Sequence, residues 1–158
     1  MHKKITKSAI HAPDFLNEPV EYNKSFSRGI RVSLGGSTLL FLSGTASIDK
    51  KGNTYSPGDF IAQAGRTFLN IKALLDAQGA TWHDVVQTRC YLKSMKRHYG
   101  AFNEVRNRFY KKEGLNPFPA SVCIEARLCR PEFLVEIEAI AILRTEKKTA
   151  SRQSRLKH

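Results

Sequence analysis

The chain has 158 residues, 41% of them hydrophobic, and a formal net charge of +12. That length buries one good core and hardly two, and no stretch approaches the roughly 20 apolar residues that span a bilayer. The basic start, Met1 to Lys7, is followed by no apolar run of signal-peptide length, so the sequence reads as cytosolic. Cys90, Cys123 and Cys129 are odd in number and include no C-x-x-C pair, which argues against a disulfide framework or a zinc knuckle and for free thiols. His2, His11, His83, His98 and His158 are scattered without metal-ligand spacing, so neither metal nor cofactor is expected.

The charge is concentrated at the ends. Residues 1–7 carry three lysines, and residues 144–158 carry six basic side chains against one acid, which leaves only +4 for the remainder. The tail 144–158 cannot bury apolar surface and is expected to be disordered. Its charge allows nonspecific contact with nucleic acid, but net charge alone specifies no partner. Residues 1–20 read as an N-terminal extension, and 21–143 as the folded domain.

In chain order, residues 30–34 alternate apolar with polar and predict a strand. Gly35-Gly36 makes a tight turn into a second strand over 38–42, and together they form a hairpin. Ser56-Pro57-Gly58-Asp59 reads as a helix start, with Ser56 as the cap and Pro57 at the first helical position. Ile61, Ala64, Phe68, Ile71 and Leu75 recur at helical spacing, and Gly79 is placed to end that helix. A third strand is predicted over 84–93. A second helix runs over about 96–112, with Tyr99, Phe102, Val105 and Phe109 on one face. Two strands, 120–128 and 133–143, close the chain. The order β-β-α-β-α-β-β predicts an α+β domain with both helices on one face of a mixed sheet.

On 120–128, alternation puts Ser121, Cys123, Glu125 and Arg127 on one face and Val122, Ile124, Ala126 and Leu128 on the other. The apolar set is expected to meet the helices, leaving Ser121 and Cys123 on the opposite side. The last strand is apolar on both faces, although helices cover only one. A second copy of the chain is the economical cover, so an oligomer is expected.

Several blocks together carry a family resemblance: Ser43-Gly44 after a buried strand, Gln63, Arg66 and Asn70 on the first helix, and Tyr99 to Asn103 with Phe109-Tyr110 on the second. Phe118-Pro119-Ala120, Cys123 to Glu125, and Val135 to Ala141 complete the set. In order and spacing, over about residues 25–143, they resemble the RidA (YjgF-like) family. The resemblance implies a chorismate-mutase-like fold, a homotrimer, and pockets for small carboxylate-bearing metabolites between subunits. It also implies hydrolysis of reactive enamines and imines to 2-oxoacids and ammonia. Carried over residue by residue, it makes Glu136 the catalytic water-handling acid. Gly44, Asn103, Ser121 and Cys123 become ligand-binding residues.

One departure matters. The family holds its substrate carboxylate with an arginine directly after Pro-Ala, and here that position is Ser121. A single hydroxyl cannot rebuild a bidentate guanidinium contact. Arg28, just before the first strand, is the expected substitute. A second resemblance, of Phe41 to Asp49 and Leu128 to Glu138 to the C-terminal part of chorismatases, implies only a pocket distinct from that of the imine deaminases. Three functions therefore stay open: a hydrolase of a carboxylate-bearing imine or enol ether, a catalytically silent metabolite-binding trimer, and a nucleic-acid-linked role of the ribonuclease type.

Overall fold

A computed structural model describes residues 5–144. Six strands form one mixed sheet in the order β1-β2-β3-β6-β4-β5. They are β1 (Thr6–Ala9), β2 (Gly29–Leu34), β3 (Ser37–Ala46), β4 (Val85–Leu92), β5 (Ala120–Glu125) and β6 (Val135–Arg144). Two helices, α1 (Phe60–Asp76) and α2 (Met95–Glu113), cover one face, as the sequence predicts. The β2–β3 hairpin turns on Gly35-Gly36, with Gly35 at a φ of 62°. All pairings are antiparallel except β4 with β5, whose connection runs through α2.

The segment read as an N-terminal extension is part of the sheet. Thr6–Ala9 pairs with β2, and Ile10 and Leu16 are fully buried in the main core. Its alternation is too short to announce a strand, so only the exposed edge of β2 reveals the partner. From residue 145 onward, the basic tail lies outside the described residues. Among the described residues, no helix is long and apolar enough to cross a membrane.

The start of α1 differs from the sequence reading. Ser56 has a φ of 51° and Gly58 one of 84°, so both lie in a turn, and Asp59 caps the helix by accepting from the Ala62 N–H at 2.9 Å. A carboxylate at the cap also favours the positive end of the helix dipole. Asp59→Ala is expected to lower stability by about 1 kcal/mol in urea unfolding, and Ser56→Ala to remove no cap. At the other end, Gly79 at a φ of 66° lets the Ala80 N–H reach back to Leu75 O at 3.0 Å.

The core sits between the helices and the sheet face made by Leu40, Leu42, Cys90, Leu92, Val135, Ile137, Ala139 and Ala141. Phe68 of α1 is its centre, within ring contact of Trp82, Phe102, Phe109 and Tyr110. Buried amides tie the layers together. Asn70 donates to Ala46 O and Ile48 O at 2.9 and 3.0 Å. Gln63 donates to Ser56 O and Glu132 O and accepts from the Leu134 N–H. These amides satisfy buried backbone groups and anchor the entry to β6, which carries Glu136.

Among the described residues, no helix lies over the opposite sheet face. This face presents Phe41 (42% exposed), Ile142 (45%), Val122 (47%) and Ile124 (46%) together with Arg89, Tyr91, Glu136 and Glu138.

Candidate functional site

Glu136 and Glu138 project from β6 onto this open face, two residues apart, but their surroundings differ. Glu138 accepts from the Tyr91 hydroxyl at 3.1 Å and pairs with Arg89 at 3.2 Å. Glu136 makes no hydrogen bond or ion pair among the described residues. It is half-buried, and burial, followed by the nearby Glu138 charge, raises its pKa above the ordinary 4.5.

What admits the Glu136 carboxyl is a bulge in β3. Between Leu42 and Thr45 the register against β6 slips, so Ser43 and Gly44 occupy the space of one residue. Ser43 is held there by its N–H on Arg28 O (3.0 Å) and its hydroxyl on Ser27 O (2.7 Å). A Cβ on residue 44 would collide with Glu136 Oε1 and lie 3.0 Å from its Cδ. Glycine thus leaves the carboxyl in this position through close approach, not through φ. Gly44→Ala is expected to push the carboxyl aside with the unfolding midpoint little changed. Urea unfolding of the variant beside the wild type checks this.

Glu136 and Gly44 line a cavity of about 380 Å³ together with Tyr22, Phe26, Arg28 and Cys129. Arg28 enters this cavity wall, but its guanidinium is largely committed. It donates to Asn17 O, Asn17 Oδ1 and the Tyr22 hydroxyl at 2.9–3.1 Å, packs against the Tyr22 and Phe26 rings, and is 5% exposed. Its first duty is to pin the 17–28 loop. A larger hollow, about 730 Å³, lies beside residues 126–131. Its one acid, Glu125, already accepts from the Met95 N–H at 2.7 Å, so that hollow offers no free acid.

Asn103, Ser121 and Cys123 lie elsewhere. The expected face of β5 is inverted: Ser121 and Cys123 point toward α2, while Val122 and Ile124 face the open side. Register decides this. Thr88 pairs with Ser121 and Cys90 with Cys123, and both β4 residues are buried beneath the helices. Paired residues share a face, and on an edge strand local polarity is a weak guide. Ser121 Oγ accepts from Thr88 Oγ1 at 3.1 Å and from Arg106 Nη1 at 3.3 Å. Arg106 Nη2 donates to Asn103 Oδ1 at 2.5 Å. The strand reading also overran: β5 ends at Glu125, and 126–132 form a loop.

Cys123 touches Met95 Sδ at 3.9 Å, and burial pushes its thiol up to about 11. It stays protonated at neutral pH, which argues against a nucleophile. Among the described residues, no three His, Cys, Asp or Glu side chains group to hold a metal ion. Sequence reasoning missed Tyr22, Phe26 and Cys129, which carry no periodic signal. It also missed Arg106, whose i, i+3 spacing from Asn103 on a helix was available.

Among the described residues, Glu136 lies on the open sheet face in a cavity also lined by Lys24, Arg28 and Arg130, and the Arg106–Asn103–Ser121 cluster lies on the helix side of the same α+β sheet. The family described as Endoribonuclease L-PSP matches residues 17–143, and the chain belongs to that family, whose relatives include the YjgF and RutC proteins. A RutC family protein of Haemophilus influenzae is 35% identical over 86 residues, covering 54% of this chain and 65% of that one. Another, from Pyrococcus horikoshii, is 35% identical over 103 residues, covering 65% and 78%. A crystal structure of a YjgF-family member from Mycobacterium tuberculosis superposes with a TM-score of 0.66 at 27% identity, covering 87% of this chain and all of that one.

Proposed function

We propose that the protein hydrolyses small, carboxylate-bearing imines or enamines to 2-oxoacids and ammonia, in pockets formed between copies of the chain. The observation that carries this is Glu136: an acid without a partner among the described residues, half-buried in a cavity, given room by Gly44 and held at a raised pKa. A carboxylate so poised is a better general base than an ordinary one. It accepts a proton from water as the oxygen bonds to the carbon of the protonated imine, giving a neutral carbinolamine. The same group, now an acid, returns that proton to nitrogen, and the regenerated carboxylate takes the hydroxyl proton as the C–N bond breaks and the C=O bond forms. That last proton passes to the departing ammonia, which leaves as ammonium, so atoms and charge balance.

A second copy supports this reading for two reasons. The exposed Phe41, Ile142, Val122 and Ile124 form an apolar face of the kind that oligomers bury. The Ser121–Asn103 cluster and Glu136 also lie on opposite faces of one sheet, so one chain cannot bring them to one ligand. A homotrimer is the assembly we infer, with the cytosol as its compartment, in keeping with three free cysteines.

Release of pyruvate and ammonia from freshly generated 2-aminoacrylate and 2-iminopropionate, measured against the spontaneous rate, tests the reaction. Acceleration supports it. Binding of 2-oxoacids with no acceleration would instead favour a catalytically silent binder, a reading that the short Ser121 hydroxyl keeps in play.

A further inference from the structure

Several arginines of the domain meet neutral oxygens and an aromatic ring, Arg28, Arg66 and Arg130 among them, and Arg106 is the one that does so beside Ser121. It is half-buried on α2, yet among the described residues it has no carboxylate within ion-pair distance; the ion pairs there are His11–Glu18, Lys72–Glu113 and Arg89–Glu138. Its guanidinium meets neutral groups: Asn103 Oδ1 at 2.5 Å, Ser121 Oγ at 3.3 Å and the buried Cys90 thiol. The Phe102 ring lies 5.2 Å beneath it. These contacts are themselves braced. Asn103 Nδ2 donates to Tyr99 O at 3.0 Å, which turns the amide oxygen toward Arg106, and Ser121 accepts from the buried Thr88. Part of the five-donor fork is thus used to hold it still, and the rest remains for a ligand.

A fixed, uncompensated, partly desolvated guanidinium is what a carboxylate needs, because the ordering cost is already met and the planar fork matches two oxygens. We propose that Arg106, braced by Asn103 and Ser121, binds the carboxylate of the substrate and faces Glu136 of a second copy across the pocket. This rests on the hydrolase reading above. On this assignment Ser121 is not a lost anion contact. Its short side chain leaves room for a guanidinium delivered from the helix, and Arg28 keeps its structural role in the loop.

The test is equilibrium binding of pyruvate to the intact wild-type, Arg106→Gln and Arg106→Lys oligomers, with neutral pyruvamide and inorganic phosphate as comparison ligands. Arg106→Gln is expected to weaken pyruvate about 10- to 100-fold, with Arg106→Lys in between and pyruvamide indifferent to all three. In turnover, KM rises and kcat stays within a few fold. Where the Gln variant fails to assemble, the Lys variant carries the comparison. Unchanged pyruvate affinity, or phosphate bound in preference to pyruvate, overturns the assignment even if the wild type hydrolyses imines. A wild type that turns over no imine, but binds pyruvate through Arg106, overturns the hydrolase reading and leaves the anchor standing.

Discussion

Glu136→Gln is expected to lower imine hydrolysis by roughly a hundredfold to ten-thousandfold while pyruvate binding survives. The amide keeps the shape but can neither take a proton from water nor return one to nitrogen. Glu138→Gln is the matched control. That carboxylate is already bound by Tyr91 and Arg89, so its loss should change the rate far less. Because its charge helps raise the Glu136 pKa, the ascending limb of the pH–rate profile should also move to lower pH. Equal losses in both variants would remove Glu136 from its role as the base.

The same substitution makes a stability prediction of definite sign. The folded protein holds the Glu136 proton more tightly than the unfolded chain does, because burial and Glu138 raise the pKa above 4.5. The relative stabilisation is full below that value and is lost as pH rises through the raised folded pKa. Above it the native state carries an ionisation penalty that glutamine lacks. Glu136→Gln should therefore melt higher than wild type at pH 7, with the gap closing as pH falls toward 4.5. A lower melting temperature at pH 7 would mean that the carboxylate is paired in the assembled protein.

The largest loss of stability is expected at Phe68. Its side chain is fully buried and touches four aromatic rings that join α1, α2 and the Trp82 turn. Phe68→Ala should cost about 3–5 kcal/mol, a large share of the total stability of a domain this size. The neighbouring Leu69, 45% exposed on the same helix, gives the contrast: Leu69→Ala should stay within about 0.5 kcal/mol. Urea unfolding of the two variants side by side reads the difference. Similar midpoints would show that the aromatic cluster repacks around the cavity.

Much of this protein is legible in its sequence. Ile61, Ala64, Phe68, Ile71 and Leu75 announce α1, and all are fully buried but Ile61, which is 44% exposed. Gly35-Gly36 and Gly79 mark a hairpin and a helix end, where a φ of 62° or 66° favours glycine. These features are local: periodicity and backbone sterics act within a few residues, so one dimension suffices. Ser43-Gly44 and Glu136 were visible as members of a pattern, but not the bulge that joins them.

What tertiary structure alone decided depends on register and on contacts far apart in the chain. The pairing of Cys90 with Cys123 set which face Ser121 takes, against the polarity of its own strand. The edge of β2 made a strand of Thr6–Ala9. Asn17 and Tyr22 claimed Arg28, while a helix turn placed Arg106 beside Ser121, 15 residues along the chain. A side chain's charge is written in the sequence; whether that charge is already neutralised depends on neighbours that only folding supplies.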